Sequence, residues 1–391
     1  ALPAFTTVSQ RMGTGLDSFA LLAIPFFILS GQLMNKGGIA HRLIAFAKTL
    51  VGSLPGGLAL INVIGAMLMG AIAGSAMASA SAMGSILGPE MEKEGYSREF
   101  GAAVNITSAT TGLIIPPSNI LIVYSLASGG VSIAALFLAG YIPGILTGLF
   151  LMLVASFWAK KKKYKLGKRS SLKEIVKTFI DAVPSLFLLV IVIGGIITGI
   201  FTATEASAIA VLYTLVLGFI YKEISFKSLP EILLDSSITT AIVMLLIGAS
   251  MSMSWVMSYE NIPQNISSAL LGISNNIIVI LLIINLLLLF VGVFMDMTPA
   301  VLIFTPIFLP VVTELGMDPI QFGIIMVLNL CIGLCTPPVG SVLFVGVGVA
   351  QTTIQKVIKP LLPLFLAMVV ALFLVTYIPE LTLWLPRLFD L

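Results

Sequence analysis

Long apolar runs separated by short polar stretches make up most of the 391-residue sequence. A helix that crosses a hydrocarbon layer of about 30 Å needs roughly 20 apolar residues. The uninterrupted runs of about this length predict simple transmembrane helices at 18–35, 131–158, 182–201, 203–221, 237–257 and 360–378. The pattern therefore predicts an all-α polytopic membrane protein.

Two further apolar regions, 57–92 and 276–313, are too long for a single crossing. Small or polar residues interrupt each region near its middle, as GSAMAS at 74–79 and as DMTP at 296–299. We therefore predict that each region forms a re-entrant helical hairpin whose tip reaches the middle of the membrane.

Double prolines divide two more apolar regions, 97–129 and 319–350. Proline lacks a backbone donor and clashes with the preceding helical turn, so a helix must unwind there. Unwound backbone at membrane depth is tolerated only inside protein or beside a watery cavity. We predict two crossing helices broken at the midplane, and the predicted helix breaks are Pro116, Pro117, Pro337 and Pro338.

The basic residues test this topology. With two hairpins, 18 of the 20 Lys and Arg residues fall on one side of the membrane, in segments 36–56, 93–98, 159–181, 222–228 and 351–359. Basic loops mark the cytoplasmic face. We therefore predict a cytoplasmic basic linker at 159–173 and a periplasmic C-terminus. Counting either hairpin as one full crossing would scatter the basic residues over both faces.

The two halves of the chain carry the same landmarks in the same order. GLIIPPSN at 112–119 and GLCTPPVG at 333–340 align with an offset of 221 residues. Nearly the same offset relates four further pairs, Gly70 with Gly292, Gly74 with Asp296, Pro89 with Pro310 and Gly95 with Gly316. Because the two predicted hairpins enter from opposite sides, the repeats are expected to be inverted.

This repeat predicts five parts of the chain. They are N-terminal scaffold and interfacial helices at 1–56, a first transport unit at 57–130, scaffold helices at 131–275, a second transport unit at 276–350 and a C-terminal helix at 351–391.

Composition narrows the classes of function. Apolar residues make up 58% of the chain and charged residues 9%, whereas a soluble domain carries about 25% charge. A soluble enzyme is therefore excluded. A net charge of +3 is too small to form a surface that binds polyanions, so we expect no nucleic-acid partner. Cys331 and Cys335 have no neighbouring His or second Cys pair, and we interpret them as small core residues.

Paired interrupted segments in two inverted halves indicate the binding site of a secondary transporter. Freed carbonyls joined by Ser, Thr, Asn or Asp oxygens suit a hard monovalent cation. The candidate cation ligands are Ser75, Ser79, Gly112, Asn119, Asp296, Thr298, Gly333 and Thr336. The candidate solute-binding residues are Ser81, Ser118, Asn119, Thr298 and Ser341. The alternative is that these small residues only let the helices pack closely.

Asp296 is the only acidic residue that this topology leaves within the hydrocarbon layer. A charge there is costly and is functional by default. Asp296 can bind a cation, cap the helix that follows, or do both. No Lys or Arg lies at this depth, so an organic anion would rely on helix N-termini and bound cations.

Two other classes of membrane protein fit the sequence less well. An ion channel could use the midplane carbonyls as a filter, but channels usually gain their symmetry from several subunits and not from an internal inverted repeat. An intramembrane enzyme lacks support, because a lone Asp296 makes no acid–base pair.

The sequence resembles the large membrane subunit of tripartite ATP-independent periplasmic (TRAP) transporters. The matching stretches are LLAIPFFILSGQLMNKGG (21–38), AGSAMASASAMGS (73–85), GLIIPPSNILIVYS (112–125), FTATEASA (201–208), VFMDMTPAVLIFTPIFLP (293–310) and GLCTPPVGSVLFV (333–345). This family normally has a further hydrophobic segment before the one that matches 18–35. We therefore expect such a segment to precede Ala1 in the native protein.

The resemblance implies sodium-driven import of a carboxylated solute, such as sialic acid or a C4-dicarboxylate, across a bacterial inner membrane by an elevator movement. It also implies two sodium sites, each between a hairpin and a broken helix, and no cofactor beyond the coupling ion. The implied partners are the lipid bilayer, a small four-helix membrane subunit and a periplasmic solute-binding protein.

Overall fold

A computed structural model describes residues 2–167, 170–274 and 276–391. Within these ranges the regular backbone consists of α-helices and one 3-10 turn at Phe19–Leu22. Eight helical segments in the described part of the chain are long and apolar enough to cross a membrane. The predicted all-α polytopic class is confirmed.

The helices are numbered in chain order. The first group comprises α1 Leu2–Leu16, α2 Ala23–Lys36, α3 Ile39–Val51, α4 Gly57–Ala73, α5 Ala76–Lys93, α6 Arg98–Thr111, α7 Asn119–Ala127 and α8 Ile133–Lys162. The basic linker leads to α9 Leu172–Ile197, α10 Ala203–Ile220, α11 Leu229–Tyr259 and α12 Ile262–Ile273. The last group comprises α13 Ile277–Phe294, α14 Met297–Glu314, α15 Pro319–Leu334, α16 Ser341–Val349, α17 Ile354–Tyr377 and α18 Glu380–Leu388.

The basic linker is shorter than the predicted 159–173. Helix α8 continues through Lys162, and α9 begins at Leu172. A capping box fixes this start, because the Ser171 hydroxyl accepts from the Glu174 amide at 3.2 Å while the Glu174 carboxylate accepts from the Ser171 amide at 2.9 Å. Residues 182–197 of the span predicted at 182–201 are therefore the second part of one continuous helix, which ends at Ile197.

Both regions predicted as hairpins are pairs of helices. Gly74, with a φ of +60°, ends α4, and Ser75 caps α5 by accepting from the Ala78 amide at 3.3 Å. Extended backbone at Met295 and Asp296 separates α13 from α14. The breaks lie where the sequence predicts them. Re-entry stays a prediction, since α13 and α14 are each long enough to cross.

Both double prolines interrupt helices as predicted. Helix α6 ends at Thr111 and α7 begins at Asn119, while α15 ends at Leu334 and α16 begins at Ser341. Pro116 and Pro117 lie in the first gap, and both prolyl bonds of the Pro-Pro pairs are cis. Each predicted broken helix is thus two helices joined by a short loop.

The turn before each broken helix has the same local structure. Gly95 and Gly316 both have a φ of +86°. The residue after each glycine closes the turn with a backbone hydrogen bond. The Tyr96 amide donates to the Met91 carbonyl and the Met317 amide to the Val312 carbonyl, both at 2.9 Å. These two turns, 221 residues apart, therefore have the same local structure.

The helices pack in several close pairs, and α3 with α4 and α11 with α14 join the N-terminal and central helices to the two hairpin regions. Helices α1, α2 and α3 pack on α11, α10 and α9, respectively, whereas α4 packs on α6 and α13 packs on α15. Helix α8, expected as scaffold within 131–275, packs mainly on α4, α15, α17 and α18 and only marginally on α9. Helix α8 therefore contacts helices of both transport units and the C-terminal helices α17 and α18.

Candidate ion and solute site at the helix breaks

The first helix of the first hairpin touches the first broken helix backbone to backbone. A methyl group added to Gly112 would lie 2.5 Å from the Cα of Gly70, far inside van der Waals contact. Only glycine at both positions lets α4 approach the end of α6 this closely. The break after Thr111 is therefore fixed against the hairpin.

The second half repeats this contact with the equivalent residues. A methyl group added to Gly333 would lie 2.5 Å from the Cα of Gly292, which joins α13 to the end of α15. Gly292 follows Gly70 by 222 residues, and Gly333 follows Gly112 by 221. Both predicted cation sites thus contain a glycine held against a neighbouring helix.

The tip of the first hairpin reaches the start of α7. A side chain at Gly74 would collide with the amide of Asn119, so the two residues are neighbours. Ser75 follows Gly74 directly, and its hydroxyl caps α5. The structure therefore brings Asn119 and the Gly74–Ser75 tip together, as predicted.

The other predicted serines of the first half lie elsewhere. Ser79 is fully buried and donates to the Ala66 carbonyl at 3.2 Å, so it joins α5 to α4 one turn beyond the tip. Ser118 is buried in the loop and donates to the Leu113 carbonyl. Ser81 is exposed on α5. These side chains are not gathered into a single cluster.

Asp296 begins α14 at the N-cap position but its side chain makes no capping hydrogen bond. Asp296 therefore occupies the cap position that the sequence indicates, without the side-chain bond of a cap. The residue is exposed, and Thr298, in the first turn of α14, is partly buried. An exposed carboxylate beside a helix N-terminus remains available to a ligand.

The loop after α15 is tightly folded around Thr336. The Thr336 hydroxyl donates to the Ile332 carbonyl at 2.7 Å. A side chain at Gly340 would lie 2.5 Å from the Leu334 carbonyl oxygen. Ser341 then begins α16, and its enclosed hydroxyl has no hydrogen-bond partner among the described residues.

The two broken helices meet at buried thiols. Cys331 donates to the Thr110 carbonyl at 3.2 Å, and Cys335 donates to the Ile106 carbonyl at 3.3 Å. Both cysteines are free and fully buried, which confirms them as small core residues. They also join α15 to α6 beside the two breaks.

The halves interlock on either side of this contact. Helix α6 packs on α16, where a side chain at Gly346 would collide with Ile106. Helix α7 packs on α15, where the Tyr124 hydroxyl donates to the Pro319 carbonyl at 2.6 Å. The first piece of each broken helix therefore lies beside the second piece of the other.

A family model described as "Tripartite ATP-independent periplasmic transporter, DctM component" matches residues 1–381. The chain belongs to the DctM family. It is consequently a transporter component and not an enzyme, and a channel is not supported.

Similar proteins extend over nearly the whole chain. The uncharacterized protein YgiK of Salmonella typhimurium is 58% identical and covers 100% of this chain and 90% of its own length. A C4-dicarboxylate TRAP transporter large permease protein of Pseudomonas aeruginosa is 42% identical over 95% of this chain and 87% of its own. A sialic acid TRAP transporter large permease protein of Vibrio cholerae is 40% identical over 97% and 89%.

A solved structure shares the fold. The YdaH transporter of Alcanivorax borkumensis superimposes with a TM-score of 0.70 at 14% identity, over 95% of this chain and 87% of that chain. At this identity the likeness concerns the architecture alone.

This DctM-family chain also holds buried polar pairs that the sequence interpretation missed. Ser108 donates to the side-chain oxygen of Asn62 at 3.2 Å, and Asn329 donates to that of Asn285 at 2.7 Å. All four side chains are buried. The first pair joins α4 to α6, and the second pair joins α13 to α15. Asparagine inside an apolar helix is the signal that could have found them.

The breaks of this DctM-family chain combine helix N-termini with few charges. Asp296 is the only charged residue in 70–79, 106–119, 292–298 and 331–341. Helices α5, α7, α14 and α16 all begin at the breaks, and their free amides carry partial positive charge. Such a site can bind anionic groups through backbone amides and cations through carbonyl and side-chain oxygens.

Proposed function

We propose that this chain is the permease of a sodium-coupled secondary transporter that imports a carboxylated organic solute by an elevator movement. One observation carries the proposal. In both halves a glycine of a hairpin helix contacts a glycine at a helix break, Gly70 with Gly112 and Gly292 with Gly333. Packing alone does not require the same close contact beside two equivalent breaks.

The first sodium site would lie between the hairpin tip and the first break. Ser75 and Asn119 supply side-chain oxygens there, and the loop from Gly112 supplies carbonyls freed from the helix. The contact between Gly74 and Asn119 supports this pairing. Ser79, one helical turn further along α5, donates its hydroxyl hydrogen to Ala66 and would bind the sodium ion through a lone pair of its oxygen.

The second site would use Asp296 and Thr298 on the hairpin side with Gly333 and Thr336 on the break side. The carboxylate of Asp296 is free of any capping role, which leaves both oxygens for a cation. A negative charge at this depth is also best compensated by a bound cation, because no basic residue is present in the break.

The solute carboxylate would be bound by helix N-termini and hydroxyl groups. Ser118 precedes α7, Ser341 begins α16, and the Ser341 hydroxyl lacks a partner among the described residues. Ser81 and Thr298 complete the proposed set. The C4-dicarboxylate and sialic acid permeases among the relatives support an acidic solute.

We further propose that the two units are inverted repeats that move together. The reciprocal packing of α6 on α16 and of α7 on α15 supports this arrangement, since it is what two antiparallel broken helices would produce. The contacts of α8 with α4, α15 and α17 favour grouping this helix with the moving body. The scaffold would then comprise α1–α3 and α9–α12.

The proposed complex includes a small membrane subunit, a periplasmic solute-binding protein and the lipid bilayer of the bacterial inner membrane. Exposed apolar residues run along α9 and α11, among them Phe187, Val190, Ile238 and Leu245. Such a surface must contact lipid or a second membrane subunit. The basic linker would face the cytoplasm and the C-terminus the periplasm.

Uptake into proteoliposomes tests this proposal. The chain is reconstituted with its small subunit and binding protein, and radiolabelled L-malate and sialic acid are supplied with an inward gradient of sodium or of choline. Sodium-stimulated, saturable uptake that requires all three proteins is expected. Equal uptake in choline would contradict sodium coupling, and full uptake by the chain alone would contradict the partner requirement.

A further inference from the structure

A cavity of about 400 Å³ lies at the basic face of the protein, beside the linker that joins α8 to α9. Its lining comes from three parts of the chain. These are the end of α3 with the start of α4, the end of α5 with the turn that follows, and the linker residues Lys165, Gly167 and Ser170. None of the predicted ion or solute ligands, all of them among the described residues, lines this space. The cavity is therefore distinct from the helix breaks.

Two close contacts hold the linker in place beside this cavity. The Tyr164 ring stacks on the buried Tyr96 ring, with 4.2 Å between the ring centroids. A methyl group on Gly167 would lie 2.3 Å from the Gly52 carbonyl oxygen, so only glycine lets the linker approach the end of α3 this closely. Lys165 lies between these two contacts in the chain. Its backbone is therefore fixed at the linker side of the cavity.

Three lysines and two glutamates line the cavity. Lys48 and Glu90 form an ion pair at 2.9 Å and so compensate each other. Lys93 and Lys165 are exposed, and neither forms an ion pair with a carboxylate in the described part of the chain. Glu94 is exposed and likewise has no basic partner there. Two accessible ammonium groups beside one accessible carboxylate suit a phosphodiester whose head group also carries hydrogen-bond donors.

The surroundings of the cavity favour a lipid over a soluble phosphate. Residues 159–173 contain eight Lys and Arg residues and no acidic residue. Basic segments at the cytoplasmic surface attract anionic lipids, and basic pockets between helices there bind lipid head groups. Leu54 and Leu166 each lie between lining residues in the chain and are 46% and 65% exposed. Exposed leucines beside lysines are typical of a surface that lies at the membrane interface.

We propose that this cavity binds the head group of an anionic phospholipid of the cytoplasmic leaflet, of the phosphatidylglycerol type. Lys93 and Lys165 bind the phosphodiester oxygens, and the Glu94 carboxylate accepts from the head-group hydroxyls. The acyl chains cover Leu54 and Leu166. Because Lys93 ends α5 and Lys165 belongs to the linker, the lipid joins the first hairpin to the segment that leads to α9. The site requires neither sodium nor the transported solute.

Native mass spectrometry of the chain in a neutral detergent tests this site, because it counts bound lipids and gives a dissociation constant for each. The chain is titrated separately with dioleoyl phosphatidylglycerol, phosphatidylethanolamine and phosphatidylethanol. One phosphatidylglycerol should bind about fivefold more tightly than phosphatidylethanolamine, which has no net charge. Phosphatidylethanol has the charge of phosphatidylglycerol but no head-group hydroxyl. It should bind about threefold more weakly than phosphatidylglycerol, since a bond to an exposed carboxylate is weak.

Three lysine variants complete the test. Lys93→Gln and Lys165→Gln should each weaken phosphatidylglycerol binding about fivefold, and the double variant should lose more than either alone. Lys227→Gln is the matched control, because Lys227 is also exposed and basic but does not line the cavity. It should bind the lipid as the unaltered chain does. Since all three side chains are exposed, the unfolding temperature without added lipid should be the same in every variant.

Four results would overturn the lipid site. They are equal affinity for phosphatidylglycerol and phosphatidylethanolamine, unaltered binding in the double variant, a fivefold loss in Lys227→Gln, and displacement of the lipid by an equal concentration of glycerol 3-phosphate. The third result would mean that the basic face attracts anionic lipid without a specific site, and the fourth that the cavity takes a soluble phosphate. None of these measurements involves uptake, so a failure of the proposed transport function would leave the lipid site standing.

Discussion

Asn329 donates a hydrogen bond to the side-chain oxygen of Asn285 at 2.7 Å, with 0% and 1% of the two side chains exposed. Ser108 and Asn62 form the equivalent contact in the first half. Each pair joins the same two helices as the glycine contact of that half, α4 with α6 and α13 with α15. In each half, a buried side-chain hydrogen bond and a glycine–glycine backbone contact therefore hold the hairpin helix against the broken helix.

Replacing Asn329 with Leu should destabilise the protein more than replacing it with Ser. Leucine leaves the Asn285 oxygen buried and unpaired, at a cost of about 1–3 kcal/mol, whereas serine restores the type of contact that Ser108 makes with Asn62. Unfolding in an SDS titration measures the difference. Equal loss in both variants would mean that side-chain volume, and not the hydrogen bond, matters at this position.

Gly333→Ala should separate α13 from α15 at the second break. The added methyl group would lie 2.5 Å from Gly292 backbone atoms, and such overpacking costs about 1–3 kcal/mol. Thermal unfolding in detergent and the sodium concentration for half-maximal uptake should both change. Gly348→Ala, where a methyl group meets nothing within 4 Å, is the control and should leave both values unaltered.

The two helix starts at the hairpin breaks should respond differently to alanine. Ser75→Ala removes the bond from the Ala78 amide and should cost about 1 kcal/mol, whereas Asp296→Ala removes no capping bond and should leave the unfolding temperature unchanged. An equal loss of stability in both variants would show that the Asp296 side chain does cap α14.

Asp296→Asn should weaken the sodium dependence of uptake without affecting folding. An interaction with a charged group is worth about 1.5–3 kcal/mol, so the half-maximal sodium concentration should rise about tenfold or more. Uptake with an unaltered rate and sodium dependence would show that Asp296 does not bind the coupling ion.

Tyr96 should make stability fall at alkaline pH. Burial of its ring in the turn between α5 and α6 raises the pKa of Tyr96 to about 12, above its ordinary value near 10. The folded chain thus keeps this proton at a pH where the unfolded chain has lost it. The contribution is complete below about pH 10 and disappears as the pH rises to about 12.

A comparison with Tyr96→Phe isolates this effect. The variant cannot ionise at this position, so its stability in SDS titrations should fall less between pH 9 and about pH 12. Tyr164 stacks on Tyr96 at 4.2 Å between ring centroids, and phenylalanine retains that contact. An identical pH dependence in both proteins would refute the assignment to Tyr96.

The sequence determined the membrane class, the helix breaks and the matching turns at Gly95 and Gly316. These features depend on local chemistry: apolar length sets a crossing, proline removes a backbone donor, and glycine permits the φ of +86° at Gly95 and Gly316. The same reasoning missed the true start of α9, because the capping box at Ser171 and Glu174 outweighs the polar composition of its first turn.

Only the tertiary structure decided which predicted ligands meet. Gly74 and Asn119 are 45 residues apart in the chain, and their contact depends on how α5 and α7 are held by other helices. Asp296 has the residue type and position of a cap, yet its side chain does not make the bond. The partners of Asn105 and Asn329 likewise come from other helices. Sequence spacing gives the position of a side chain along its own helix, but the neighbouring helix that it faces is fixed by packing between distant segments.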